Sequence, residues 1–371
     1  MASPGRPTAA DAAITRRELG RATLARQLLL ERSPLDCVSA VARLAGMQAQ
    51  EPRPPFLGLW SRLAGFRSEQ LLEALRTGAL VRGPLFRATL HVVTAADWST
   101  FRPPVAPALT RALRALGKRA EGIDVDAVGV VARELLEQAP RTAGELRTLL
   151  HAAFPAHEDR ALGYAVRTSV PLTMVPSEDP HGFPRDPRLA LAEPRPPLGT
   201  LEDLVLRYLG AFGPASVADA QEWSGVGGLA PAFAGLRERL VSLVDERSRE
   251  LFDLPDAPRP PASTPSPARY LPEFDSLLLA HADRSRLIAD RHRRHLTTKN
   301  LRVNATALFD GEACATWAIK RTAKSATLEL TPFEPLSAQA LSALEAEGLE
   351  LLAANEPAAT AVAFAVNPPH A

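Results

Sequence analysis

The sequence predicts an α+β fold, mainly α, with three tandem winged-helix units followed by a small β-rich C-terminal domain. Three observations predict it. The order helix, helix, helix, strand, turn, strand returns three times between residues 15 and 254, a proline-rich stretch closes that region, and strand-like runs follow it. The expected boundaries are 12–110, 111–198 and 199–254 for the units, 255–268 for a linker and 269–371 for the terminal domain.

In the first unit, residues 15–31 place Leu19, Ala22, Leu24, Leu28 and Leu29 at helical spacing. Ser33-Pro34 reads as an N-cap with proline at the first helical position, opening a second helix through Val38, Val41 and Leu44 that stops before Pro52. A short helix from Ser68 ends at Thr77-Gly78, and Ala79–Val81, a Gly83-Pro84 turn and the run Arg87–Val93 form a hairpin. In the second unit, helices are expected at 126–138, from the cap Thr142 and at 161–168, then a strand at 171–175. The third begins with a helix at 201–212 and a capping box from Ser216 to Asp219, with a recognition helix expected at 229–240 and a hairpin of 241–244 with 251–254. Residues 255–268 hold six prolines, which marks a linker. Beyond it, 313–319 and 328–330 read as strands and 337–344 as a helix.

With 371 residues, 46% of them hydrophobic, the chain can bury several small cores. No run of about 18 uncharged apolar residues occurs, and Met1 to Asp11 has no signal-peptide character, so a soluble cytoplasmic protein without membrane contact is expected. Cys37 and Cys314 stand far apart without metal-type spacing and read as small buried hydrophobes. No cofactor is expected. The net charge is only +1 and just four of the 43 basic residues are lysines, so any nucleic-acid binding must rest on how charge is distributed.

The densest basic cluster is Arg284, Arg286, Arg291, Arg293, Arg294, Lys299 and Arg302, seven cations within 19 residues. It reads as a phosphate-binding loop or hairpin, with a solvated charged segment as the alternative. His292 and His295 lie within it, but no further soft ligand accompanies them to hold a metal. Gln48-Ala49-Gln50 precedes a proline-rich run. In an extended segment the two side chains point the same way, bringing two neutral amides toward one target, whereas two glutamines ending a helix is the plainer alternative. In Gly83-Pro84-Leu85-Phe86-Arg87-Ala88-Thr89-Leu90-His91, alternation puts Arg87, Thr89 and His91 on one strand face, as a pocket wall or as an exposed wing edge.

These segments, with Thr15-Arg16-Arg17, Gly46-Met47, Trp98, Leu271-Pro272-Glu273-Phe274-Asp275 and His281-Ala282-Asp283-Arg284-Ser285, resemble the AlkZ/YcaQ-like bacterial DNA glycosylase family over roughly residues 15–330. The resemblance implies a curved, DNA-embracing body of three winged helices and removal of N-alkylated purines, including unhooking of interstrand crosslinks. It implies a catalytic motif of Gln, an aliphatic residue, then Gln or Asp. Gln48-Ala49-Gln50 is similar to the AlkZ branch, associated with self-resistance to DNA-alkylating natural products, and departs from the Gln-x-Asp branch. The expected enzyme is a monomeric, monofunctional DNA N-glycosylase acting on double-stranded DNA with alkylated bases, Gln48 and Gln50 being catalytic and Glu51 a second-choice base. A non-catalytic winged-helix regulator or damage-binding protein is the alternative.

Overall fold

The computed structural model describes residues 13–298 and 302–370, so the expectation drawn from Met1 to Asp11 lies outside the described residues. Helix is the larger share, 45% against 19% strand.

Helix α1 (Arg16–Arg26) opens with a capping box in which Thr15 and Glu18 satisfy each other's backbone N–H groups. It stops short of the expected residue 31. Arg26 and Gln27 donate to the carbonyls of Leu209 and Ala211, and Leu28 takes a left-handed φ of 58°, which turns Leu29 into the core. Next come α2 (Cys37–Arg43), β1 (Met47–Gln48), α3 (Pro54–Trp60), α4 (Ser68–Arg76), β2 (Leu80–Pro84) and β3 (Leu90–Thr94), the strands ordered β1-β3-β2. One sequence expectation is corrected here. Asp36, not Ser33, caps α2, because its carboxylate accepts from the Ser39 amide at 2.9 Å. Residues 54–60, for which the sequence reading holds no expectation of helix, form α3, because Pro54 and Pro55 occupy the first turn, where a missing N–H costs nothing.

The long helix α5 (Ala95–Ala112) leads to α6 (Val125–Gln138), β4 (Arg141–Thr142), α7 (Ala143–Ala153), α8 (Asp159–Ser169), β5 (Leu172–Met174) and β6 (Arg188–Leu191), with strand order β4-β6-β5. Then follow α9 (Leu201–Phe212), α10 (Val217–Ser224), α11 (Ala230–Gly235), β7 (Val241–Val244) and β8 (Glu250–Asp253), a lone bridge between Ala215 and Phe252 standing in for the short strand. Helix, short extended segment, helix, helix and hairpin thus recur three times. The helix expected at 229–240 is cut to α11 and a separate 3₁₀ turn, Arg237–Arg239.

The C-terminal part contains β9 (Arg269–Leu271), β10 (Thr306–Phe309), β11 (Glu312–Arg321), β12 (Ser325–Pro332), α12 (Ala338–Asn355) and β13 (Ala361–Val366). Their sheet runs β13-β12-β11-β10-β9, with only the β12–β13 pair parallel. The proline-rich segment 255–268 does not hang free. Carbonyls of Pro258, Ala262 and Thr264 accept from Arg26, Arg17 and Arg21, which lays it along α1. Among the described residues, no helix is long and apolar enough to cross a membrane.

Two of the charges buried between these parts are held in two-bonded ion pairs. Arg26 binds Asp253 through two hydrogen bonds of 2.7 and 2.8 Å, and Arg62 binds Asp275 through two of 2.9 Å while also donating to the carbonyls of Gln27 and Gly58. The second pair joins the end of α3 to the Leu271–Asp275 segment. Removing one partner strands a buried charge, so Asp275→Ala is expected to destabilise the fold by about 3–5 kcal/mol, measured as a fall in thermal or denaturant midpoint.

Candidate functional site

The Gln48–Gln50 segment lies in extended chain, as its prolines suggested. Gln48 sits opposite His91 on β3, and the Ala49 amide donates to the Leu90 carbonyl at 2.7 Å, carrying the ladder one residue past β1. Gln48 is buried and its Oε1 accepts from Arg87 Nη2 at 3.0 Å. The Gln50 Oε1 accepts, more weakly, from the Leu90 amide at 3.4 Å. Both side-chain carbonyls therefore meet the single segment 87–90. Each keeps a second acceptor site.

That segment is a turn rather than the strand expected from residue 87 onward. Arg87 and Ala88 have φ values of 53° and 57°, and the Leu85 amide closes the turn on the Thr89 carbonyl at 3.0 Å. The expected common face of Arg87, Thr89 and His91 is thus corrected: left-handed backbone breaks the strand alternation. Arg87 points inward, bridging Gln48 to the Trp223 carbonyl at the end of α10. Gly225 makes this approach feasible, since a Cβ there would lie 3.2 Å from the Arg87 Cα and its own φ is 74°. Thr89 Oγ donates to the Phe86 carbonyl, and His91 is fully buried with its ring edge against Phe86.

Two further guanidinium groups converge on this loop. Arg82 donates to the carbonyls of Ala49 (3.0 Å) and Gln50 (3.2 Å) and lies over the Phe183 ring, and Arg167 of α8 donates to the Ala88 carbonyl at 3.2 Å. Burial pushes Arg82 and Arg87 down to about 10, which leaves both cationic at neutral pH. Burial and then the charge of Arg87 push His91 down to about 3. Its ring is neutral at pH 7 and donates from Nδ1 to the Thr89 carbonyl.

A narrow cleft beside Gln48 is lined by Pro54, Pro55, Arg62, Glu273 and Asp275. A wider cavity of about 430 Å³ adjoins it, bordered by Glu51, Arg53, Glu273, Arg302 and Trp317. Glu273 belongs to both walls, and Arg302 holds it at 2.5 Å with Glu51 3.8 Å away on the other side. Sequence reading assigned no role to Arg82, Arg167 or Glu273. Glu273 lay in the 271–275 segment of the family resemblance and Arg167 in the helix expected at 161–168, where nothing local signals an approach to Ala88.

Most of the described cations of the 284–302 cluster have carboxylate neighbours within the fold. Arg286 is buried and donates to Thr23 and the Pro214 carbonyl. Arg284 meets Glu222, Arg291 meets Glu334, Arg293 meets Asp290 and Arg302 meets Glu273. Arg294 donates to the His295 ring, and Lys299 lies outside the described residues. Carboxylates thus lie against four of the six described cations, three of these carboxylates coming from other parts of the chain. His292 and His295 stack on Phe333, and burial pushes the free thiols of Cys37 and Cys314 up to about 12.

A family model described as DNA glycosylase AlkZ-like matches residues 41–354. Among solved structures, the Streptomyces sahachiroi DNA glycosylase AlkZ is similar to this chain, with a TM-score of 0.79 at 20% identity over 96% of this chain and 100% of that one. No curated protein sequence matches.

His91 and the equally buried His281 both lie near 3, well below the usual 6.5. The unfolded chain therefore binds protons that the fold refuses, and stability present above pH 6.5 is lost as the solution becomes more acidic. Moving from pH 7 to pH 5 is expected to remove about 2 kcal/mol per histidine. Thermal midpoints at the two pH values measure this, with the loss roughly halved in His91→Asn.

Proposed function

The chain belongs to the AlkZ-like DNA glycosylases, and from that membership we propose that Gln48 and Gln50 carry out hydrolysis of the N-glycosidic bond of N-alkylated purines in double-stranded DNA. Each of the three recurring element groups is read as a winged helix, with α1 attached to the third because its side chains anchor there. The single observation supporting the catalytic assignment is the meeting of both glutamine carbonyls with the 87–90 turn.

An N7-alkylated guanine already carries positive charge and leaves as a neutral base. Its departure therefore needs little help from an acid. Charge develops instead on the sugar, and water must be placed beneath it. The remaining acceptor sites on Gln48 Oε1 and Gln50 Oε1 orient that water and stabilise the oxocarbenium-like centre through their dipoles. Arg87 fixes which end of the Gln48 amide faces inward, so the carbonyl is presented without reorganisation. Glu51 is engaged with Arg302 and plays the lesser part. Among the described residues, no amine nucleophile belongs to this arrangement. The enzyme is accordingly read as monofunctional, releasing a base and leaving an abasic site, and as acting as a monomer.

Three variants test this reading on duplex DNA containing N7-methylguanine under single-turnover conditions. Gln48→Ala and Gln50→Ala are each expected to slow base release by about 100-fold or more while retaining duplex affinity. Full activity in the double variant excludes the pair. Arg87→Met is expected to slow release in the native background by about 10-fold, yet to add little in a Gln48→Ala background, because neighbours acting through one another are non-additive.

A further inference from the structure

The cations that remain unpaired are informative. Helix α8 presents Arg160, Gly163, Tyr164 and Arg167 on one outward stripe at i, i+3, i+4 and i+7, with Arg160 exposed and the other three partly so. The stem of Arg147 on α7 lies across Gly163, its Cγ 3.2 Å from where a Cβ would stand, so that a third guanidinium joins this face. Nearby carboxylates are engaged elsewhere: Glu158 with Arg119, Asp159 with His151. Among the described residues, Arg147, Arg160 and Arg167 have no carboxylate partner, and the Arg167 Nε is buried without a hydrogen bond. Arg160 and Arg167 are seven residues apart, about 10 Å along the helix, a span on the scale of neighbouring phosphates of one DNA strand.

The far end of the stripe reaches the site itself. Arg167 donates to the carbonyl of Ala88, the neighbour of the Arg87 that holds Gln48. A sugar-phosphate backbone lying on α8 would therefore arrive beside the two glutamines. We propose that the α8 face formed by Arg147, Arg160, Tyr164 and Arg167 is the surface that grips the duplex backbone next to the lesion. The 284–302 segment, its charge largely paired within the protein, contributes little. This inference rests on the reading that the glycosylase site is the Gln48–Gln50 segment.

Each phosphate contact releases counterions, so the slope of log affinity against log salt reports how many cations engage. The full-length chain is tested on an undamaged duplex with two variants of equal charge change, Arg147→Gln/Arg160→Gln on α8 and Arg291→Gln/Arg293→Gln in the paired segment. The α8 variant is expected to lose about two units of slope and to bind more weakly at low salt, with an unchanged melting temperature. The control is expected to shift by less than half a unit. An unchanged slope for the α8 variant, or an equal loss in the control, overturns the proposal. Since no base is excised in this experiment, its failure is separate from retained excision in the glutamine variants.

Discussion

Everything near the site depends on one backbone constraint, the left-handed pair Arg87 and Ala88 between β2 and β3. For residues with a Cβ this conformation costs of order 1–3 kcal/mol each, and the surroundings must hold it in place. Phe86 does so by packing among Phe101, His91 and Trp223, and Arg87 by bonding at once to Gln48 and to the end of α10. The same turn that aims Arg87 inward leaves the carbonyl of Ala88 for Arg167 and the amide of Leu90 for Gln50. A strand in its place would have sent Arg87 to one face with Thr89 and His91 and left Gln48 without its partner.

Charge distribution explains how a chain of net charge +1 serves as a DNA glycosylase. Many arginines bind the protein to itself, some in buried two-bonded pairs such as Arg26–Asp253 and Arg62–Asp275, some along the proline-rich segment. Such pairs spend their charge on assembly. Around the 87–90 turn the pattern differs, since Arg82, Arg87 and Arg167 bond to backbone carbonyls and one amide and keep their charge unneutralised. Under the proposed function, such charge beside a centre that itself turns positive is balanced by the anionic DNA backbone.

Much of the fold could be read locally. The cap at Thr142, the capping box at Ser216, the helix 201–212 and the hairpin of 241–244 with 251–254 depend on contacts within a few residues, and the structure has them. Readings went astray where distant contacts override local preference: α1 ends early because its last side chains are claimed by α9 and by Asp253, and α11 is cut short ahead of the β7–β8 hairpin. The alternation argument suited Gln48-Ala49-Gln50, where prolines favour extension. It misled at Arg87, where a turn replaces the strand.

The sequence by itself determined many of the elements, the extended course at Gln48-Ala49 and the family resemblance, because these rest on periodicity, caps and residue order. Only the tertiary structure decided which arginines are free. Whether a guanidinium faces a carboxylate hundreds of residues away, as Arg16 faces Glu312, or an unpartnered stripe, as on α8, depends on packing between segments that are remote in the chain. That is why the dense basic run 284–302 attracts attention in the sequence while most of its described cations meet carboxylates in the fold, and why α8, expected only as a helix at 161–168, keeps its charge.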